Sequence, residues 1–270
     1  MIIDCHTHFF PDKLYQAIWQ WFGTHGWKVR YQVFADEVVT LLRSQGVERF
    51  VVLNYAHKAG MSESLNRWTY EFCQKYPEAI PFGAVHQDDP IKKVLKQCFE
   101  AYHFKGIKFH THVAAIAPDD EKLFPLYEGM VEYDKVLTLH AGTGPSLAGY
   151  KEKVDHVSGV KRVAKVLKRF PTLKMIMPHL GADEVGPFFD LMEEFPNLWM
   201  DTTMALSGYF PLEIPWDRLE KHSDRILYGS DFPNVPYEMS TEIKAIQGST
   251  LSPEAQQNIF YRNARNLFSR

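Results

Sequence analysis

Cysteine, long apolar runs and charge of one sign are all scarce in this 270-residue sequence. Its 3 cysteines cannot build a disulfide framework, and none of them form a Cys-x-x-Cys pair. No apolar run approaches the ~20 residues that a membrane-spanning helix needs. These shortages argue against a disulfide-stapled secreted domain and against a membrane protein.

The charge balance gives no sign of a nucleic-acid partner. The 30 basic and 33 acidic residues leave a formal net charge of −3, whereas nucleic-acid-binding domains normally carry a basic patch. The most basic stretch, 160–169, places its cations opposite Val163, Val166 and Leu167, which predicts a solvated helix face. The first residues include no basic segment followed by a long apolar one, so we expect a cytoplasmic protein without a signal peptide.

Two common catalytic signatures are missing as well. No glycine-rich phosphate turn follows an early strand, which disfavours an open dinucleotide-binding sheet. No Gly-x-Ser-x-Gly elbow surrounds Ser146 or Ser230, which argues against a serine hydrolase.

Short apolar runs alternate with longer amphipathic segments along the chain. Several of these runs are apolar without alternation, as expected of strands that are buried on both faces of a parallel sheet. The candidate strands are Ile2–His6, Arg49–Tyr55, Ile80–His86, Gly106–His110, Val136–His140, Lys174–Pro178, Leu198–Thr202 and Arg225–Tyr228.

Helical patterns fill the gaps between the candidate strands. The predicted helices are Asp36–Gln45, Glu63–Lys75, Pro90–Tyr102, Glu121–Tyr133, Gly159–Phe170 and Pro253–Phe268. This alternation predicts an α/β fold, a (β/α)8 TIM barrel that forms one domain over 1–270. Residues 11–35 are an unusually long, aromatic first connection, which we interpret as an insertion at the barrel mouth. It would add to the core, shape the pocket or bury a homodimer interface.

Histidine is the abundant residue, with 12 copies. His6 and His8 lie two apart at the end of the first candidate strand, so their imidazoles share a face. Other histidines lie at or just past further strand ends: His57, His86, His110, His112, His140 and His179. In a barrel these ends converge on the active-site face, and imidazole is a common metal ligand.

This order of residues resembles the amidohydrolase superfamily of metal-dependent barrels. The resemblance is greatest to the amidohydrolase-related (amidohydrolase 2) branch, which includes aminocarboxymuconate-semialdehyde decarboxylase, and it spans nearly the whole chain. The matching segments are Ile3-Asp4-Cys5-His6-Thr7-His8, Leu139-His140-Ala141-Gly142, Met177-Pro178-His179-Leu180-Gly181, Met200-Asp201-Thr202, Tyr228-Gly229-Ser230-Asp231-Phe232-Pro233 and Arg262-Asn263-Ala264-Arg265-Asn266-Leu267-Phe268.

The resemblance implies a divalent metal site, with one ion favoured over two and Zn²⁺ as the expected metal. The implied ligands are His6, His8, His140 and Asp231. The resemblance also implies that His179 faces the substrate or the metal-bound water, and that Asp231 acts as a catalytic residue that accepts and passes on a proton.

The fourth candidate strand departs from the pattern of many two-metal members. Lys108 and His110 share a face by alternation. Lys108 is either a carbamylated bridge between two metals or an ordinary amine that binds a substrate carboxylate, and we favour the amine. His110 is then a substrate-contact candidate, and both His110 and His112 are extra ligand candidates without an assignment.

Two reactions on a small organic substrate suit this set. The favoured prediction is hydrolysis of an ester, lactone or amide by metal-activated water. The alternative is non-oxidative decarboxylation of a small carboxylic acid. A catalytically inactive metal-binding barrel and a metal-dependent nuclease are further alternatives, and the balanced charge counts against the nuclease.

Overall fold

The computed structural model describes residues 1–269 and is built on eight parallel strands that pair in sequential order. The strands are β1 Ile2–His8, β2 Val47–Leu53, β3 Ala79–Ala84, β4 Gly106–His110, β5 Val136–His140, β6 Lys174–Met177, β7 Leu198–Asp201 and β8 Ile226–Leu227. The predicted (β/α)8 TIM barrel is therefore confirmed. Each candidate strand is present, and only the end positions differ.

Backbone hydrogen bonds bring the chain after β8 back to β1 and nearly close the barrel. The amide of Asp231 donates to the carbonyl of His6, and the amide of His8 donates to the carbonyl of Phe232, each at 2.8 Å. These bonds place Asp231 beside the two histidines that end the first strand.

Alternate strand residues pack on opposite faces of the sheet. Val136 and Ile176 belong to the cluster inside the barrel, whereas Leu137 and Met175 pack with the surrounding helices. Both faces are therefore removed from water, which explains the continuous apolar runs of the sequence. Full burial of one such side chain stabilises the fold by about 1.5–3 kcal/mol.

The helices lie between and after the strands. They are α1 Asp12–His25, α2 Ala35–Ser44, α3 Ser62–Lys75, α4 Ile91–Lys96, α5 Thr111–Ala114, α6 Phe124–Glu132, α7 Val160–Arg169, α8 Val185–Glu194, α9 Trp216–Lys221, α10 Thr241–Gln247, α11 Pro253–Gln257 and α12 Asn263–Phe268. π-Helical turns at Gln97–Ala101 and Asn258–Arg262 extend α4 and join α11 to α12.

Every predicted helix has a counterpart, and the structure adds others. Helix α8 was not predicted. Its first turn contains Gly186 and Pro187, and a proline at that position does not interrupt helical hydrogen bonding. In α7, Val163, Val166 and Leu167 are buried, as the sequence pattern predicts. No helix among residues 1–269 combines the length and apolar character that crossing a bilayer requires.

Candidate metal centre and active site

A cavity of about 400 Å³ opens where the strands end. Histidines from β1, β4 and β5 line its floor, together with Asp231. Aromatic residues of the long first connection, among them Trp21, Phe22 and Trp27, form part of its wall. This volume lies within the range of pockets that bind small molecules.

The structure brings His6, His8 and Asp231 together at the β8–β1 junction. One ligand atom from each lies within 4.8 Å of the others. Asp231 Oδ1 is 3.1 Å from His8 Nε2 and 3.4 Å from His6 Nε2. Three of the four predicted metal ligands thus share one buried cluster, which we call the first cluster.

Asp201 at the end of β7 fixes the orientation of His6. Its Oδ2 lies 2.8 Å from His6 Nδ1, so Nδ1 carries the proton and Nε2 presents a lone pair to the first cluster. Asp201 Oδ1 accepts the amides of His179 and Thr203. The sequence predicts no role for Asp201, which stands there only within a segment that matches the family. Its position at a strand end, like that of Asp231, was the available signal.

The charged states in the first cluster follow from burial and neighbouring charge. Burial, helped by the Lys108 cation, lowers the pKa of His6 to about 4. Burial alone would raise the pKa of Asp231, but His8 and His6 outweigh it and hold the pKa below its usual range. Neutral imidazole and ionised carboxylate are the forms that bind metal. Two nitrogens and one oxygen fit a borderline divalent ion such as Zn²⁺.

His179 lies between the first cluster and the other cavity histidines. Its Nδ1 is 2.9 Å from the carbonyl of Thr203, and its Nε2 is 3.3 Å from His140 Nδ1. Its ring centroid is 5.5 Å from that of His6. His179 lines the cavity.

His140 does not join the first cluster. It groups instead with His110 and His112, and one ring nitrogen from each of the three lies within 4.8 Å of the others. The rings of His110 and His140 stack with centroids 3.9 Å apart. We call these three residues the second cluster. His110 lines the cavity, as a substrate contact must.

Lys108 is fully buried beneath the site. Its Nζ lies 3.1 Å from His6 Nε2, and it does not appear among the residues that line the cavity. Burial lowers its pKa to about 8, although Asp201 and Asp231 act in the opposite direction. The predicted carboxylate-binding amine thus contacts His6, a predicted metal ligand, and not the open cavity.

Two glycines permit the close approach of the strand ends. A Cβ on Gly229 would lie 2.2 Å from Thr203 Oγ1 and 2.7 Å from the Cβ of His6. A Cβ on Gly142 would lie 2.6 Å from the carbonyl oxygen of Gly181. Because no side chain fits at either position, these glycines set the spacing of the strand ends that carry the predicted ligands.

The remaining histidines that follow strand ends belong to neither cluster. His57 is exposed at the cavity rim. His86 is buried away from both clusters, and its Nδ1 accepts the amide of Asp88. Sequence reasoning missed the cavity residues Lys58 and Lys151, because both lie on loops whose direction no local pattern specifies.

Comparison with known proteins gives one family and a shared fold. The sequence profile of the amidohydrolase family matches residues 3–270. No curated protein matches the chain.

Several solved structures are similar over the whole chain. One is 5-carboxyvanillate decarboxylase from Novosphingobium aromaticivorans, complexed with manganese and 4-hydroxy-3-methoxy-5-nitrobenzoic acid, with 15% identity, TM-score 0.72 and coverage of 100% of this chain and 96% of that one. Another is 4-oxalomesaconate hydratase from Rhodopseudomonas palustris, with 22% identity, TM-score 0.67 and coverage of 100% and 96%. A 2,6-dihydroxybenzoate decarboxylase bound to 2,6-dihydroxybenzoate has 17% identity, TM-score 0.72 and coverage of 100% and 99%. At these identities the likeness shows the fold alone.

Proposed function

The chain belongs to the amidohydrolase family, and from that premise we propose that it is a metal-dependent lyase that decarboxylates a small, flat carboxylic acid. The observation that carries this proposal is the charge of the cavity. Two lysines, Lys58 and Lys151, line it, and Asp231 is the one carboxylate among the residues that line it.

The two lysines are free to bind an anion. Within residues 1–269 neither lysine has an ion-pair or hydrogen-bond partner. A carboxylate that enters the cavity therefore meets two cations near the rim and neutral imidazoles near the floor. This arrangement favours an acidic substrate over a neutral ester or amide.

The shape of the wall favours a flat substrate. Trp21, Trp27, Tyr55 and Tyr150 all line the cavity. Aromatic rings bury large apolar areas and stack on planar ligands. Two of the similar structures are decarboxylases, of 5-carboxyvanillate and of 2,6-dihydroxybenzoate, which supports the same class of reaction.

The first cluster supplies the metal site of this proposal. His6, His8 and Asp231 would hold one divalent metal, with Zn²⁺ and Mn²⁺ as the ions to compare. When bound, the metal would act as a Lewis acid on a substrate oxygen. Asp201 keeps His6 Nε2 available for it, because Asp201 accepts the proton of Nδ1.

Asp231 and His179 are the groups placed to move a proton. Asp231 takes a proton from solvent and delivers it to the carbon that bears the carboxylate. The bond from that carbon to the carboxylate then breaks, its electron pair restores the double bond, and CO₂ leaves. One proton is consumed and the carboxylate becomes CO₂, so atoms and charge balance. His179 Nε2 lies 3.3 Å from His140 Nδ1 and would exchange that partner for a substrate hydroxyl, from which it would accept a hydrogen bond.

Hydrolysis of an ester, lactone or amide is the second candidate. The observation in its favour is that His179 and Asp231 both line the cavity, where they would orient and deprotonate an attacking water. The hydrolase expected from the sequence stays a prediction.

The test is turnover of a panel of small aromatic and unsaturated carboxylic acids by metal-loaded protein. We expect CO₂ release, a loss of at least about 10³-fold in kcat for Asp231→Asn, and a raised KM for the Lys58→Ala/Lys151→Ala double variant. Lys153→Ala, at an exposed position, is the matched control. Ester or lactone turnover without CO₂ would establish the hydrolase, and tight ligand binding without turnover would establish an inactive binding barrel.

A further inference from the structure

The connection between β5 and α7 passes over the mouth of the cavity. Pro145, Gly149, Tyr150 and Lys151 of this connection all line the cavity. Residues 145–153 contain no helix or strand, and we call them the crossing segment.

The chain is hydrogen-bonded to its surroundings on both sides of the crossing segment. Before it, the carbonyl of Thr143 accepts the amide of Asp183 at 2.9 Å. After it, the amide of Gly159 donates to the carbonyl of Ala141 at 2.7 Å. These bonds fix the two ends of the connection against the end of β5 and the chain that follows β6.

No such bond holds the crossing segment itself. Its hydrogen bonds are local: the amide of Tyr150 donates to the carbonyl of Leu147 at 3.1 Å, and the amide of His156 donates to the carbonyl of Lys153 at 3.0 Å. Within residues 1–269, no hydrogen bond or ion pair joins the crossing segment to any other element of the barrel. Backbone without fixed partners opens locally at a low cost in free energy.

Apolar and ring contacts seat the crossing segment on α1. The ring centroids of Tyr150 and Trp21 lie 5.4 Å apart. A Cβ on Gly149 would lie 2.7 Å from Trp21 Cζ2 and 2.7 Å from His25 Cγ, so the missing side chain lets the backbone rest directly on the helix. Because these contacts are not directional, they can part without breaking a hydrogen bond.

Gly144 gives the crossing segment a point about which to turn. Its φ of 106° belongs to a region that glycine adopts readily and other residues rarely, and a Cβ there would lie 2.6 Å from Asp183 Oδ2. At the other end lies the short helical turn Val154–His156, in which Val154 is buried. The crossing segment thus runs from a glycine hinge to a packed turn.

Tyr150 extends into the cavity with an unused hydroxyl. Its ring centroid is 5.4 Å from that of His112, and its hydroxyl has no hydrogen-bond partner within residues 1–269. Burial, helped by the charge of Asp231, raises the pKa of Tyr150 above its usual value, so the hydroxyl stays protonated and can donate. A ligand oxygen that contacts Tyr150 and the ammonium of Lys151 would stabilise the closed position of the segment.

From this we propose that the crossing segment is a lid, which lifts from α1 to admit a substrate and then closes to bring Tyr150 and Lys151 onto the bound molecule. Closure would exclude bulk water from the floor of the cavity. The lid serves the cavity of the proposed function, but its motion does not depend on which reaction occurs there.

The test is a disulfide that holds the lid closed. The double variant His25→Cys/Gly149→Cys places two thiols within reach of such a bond, because position 149 lies directly against the ring of His25. The variant is loaded with Zn²⁺ and oxidised, and pyridine-2,6-dicarboxylate is added to extract the metal. We expect extraction to be at least about tenfold slower than from the same protein reduced with a phosphine. The single variant His25→Cys is the matched control and should give one rate with and without the phosphine.

Equal extraction rates before and after reduction of the double variant overturn the proposal. Mass spectrometry establishes the disulfide, and circular dichroism establishes the fold. Gly26→Cys/Leu147→Cys spans the same contact between lid and helix and replaces the first pair if that pair does not fold. Failure of both pairs to form the bond would show that the segment does not rest on α1, which also overturns the proposal. Metal extraction needs no substrate, so a failed decarboxylase assay and a failed lid are told apart.

Discussion

The two His-Thr-His segments, residues 6–8 and 110–112, are built alike and surrounded differently. Thr7 in the first donates its hydroxyl to the carbonyl of Val51 on β2 at 2.6 Å, and Thr111 in the second donates to His140 on β5 at 2.8 Å. In each segment the threonine hydroxyl is thus hydrogen-bonded to the next strand. His8, His110 and His112 line the cavity, and His6 is fully buried.

The difference lies in the carboxylates. The first segment has Asp201 behind it and Asp231 beside it, whereas the second groups with a further histidine and no carboxylate, and its His112 Nε2 donates to the carbonyl of Gly142. The comparison teaches that the same three residues can have two electrostatic surroundings. One carries built-in negative charge, and the other consists of neutral imidazoles.

The largest expected contrast is in the pH dependence of stability of the metal-free chain. Burial places the folded-state pKa of His112 at about 4 and holds those of His110 and His140 well below the usual value, which is about 6.5 in the unfolded chain. The unfolded chain therefore binds more protons between pH 4 and 6.5, and stability falls as pH drops through that window. Each proton of difference contributes about 1.4 kcal/mol per pH unit.

Urea unfolding at several pH values measures this effect. Asp4 acts in the opposite direction, because burial raises its pKa to about 7, so the decisive comparison is between the unaltered chain and His112→Gln, in which Asp4 is unchanged. We expect a shallower pH slope in His112→Gln and no change in His156→Gln, at an exposed position. Identical slopes for the unaltered chain and His112→Gln would contradict the neutral second cluster.

Removing the carboxylate behind the first segment should weaken metal binding at the first cluster. Asp201→Asn keeps an acceptor for the amides of His179 and Thr203 but loses the charge that holds the Nδ1 proton of His6. We expect metal affinity at the first site to fall about 10–100-fold, measured by competition with a chelator. An unchanged metal affinity would show that the charge of Asp201 is not needed to orient His6. Asp155→Asn, at an exposed position, is the control.

Substitution of Lys108 should change the metal affinity by a smaller amount and in the opposite direction. Its ammonium lies against His6 Nε2 and repels a cation there. Lys108→Met should therefore tighten metal binding at the first site by roughly tenfold, while Lys108→Arg should leave it nearly unchanged. If Lys108→Met loses metal instead, the carbamylated bridge left open by the sequence is the better interpretation.

The smallest expected effect is on the free energy of unfolding of two threonine variants. These variants test whether the two His-Thr-His segments are held in the same way. Thr7→Val and Thr111→Val each remove one hydroxyl that bonds a neighbouring strand. We expect each to lower the free energy of unfolding by about 1 kcal/mol, measured by urea denaturation, with metal content unchanged. A loss of stability in only one variant would show that the segments differ in structure as well as in charge.

The sequence was sufficient for the barrel and for most of the first cluster. Strand parity places His6 and His8 on one face, and the position of Asp231 after the last strand brings it to the same end of the barrel. Both inferences depend only on local periodicity and on the order of the strands, which a single sequence contains.

The remaining features of the site depend on the direction of individual side chains, which the periodicity of the sequence does not specify. His140 leans toward His110 and not toward His6, and Lys108 turns beneath His6 and away from the cavity. The lysines of the cavity rim lie on loops. In each case the deciding contacts come from residues far apart in sequence, so no local pattern could have given them.

Two residues proposed for proton transfer also have unusual backbone geometry. Asp231 and His179 adopt left-handed conformations, with φ of 60° and 58°, which aspartate, asparagine and histidine tolerate better than most side chains and glycine tolerates best. A change to glycine at either position would therefore relieve the main chain while it abolished the chemistry. Selection for stability and selection for turnover thus oppose each other at these residues, and engineered variants that are unusually stable and inert are the expected sign of that conflict.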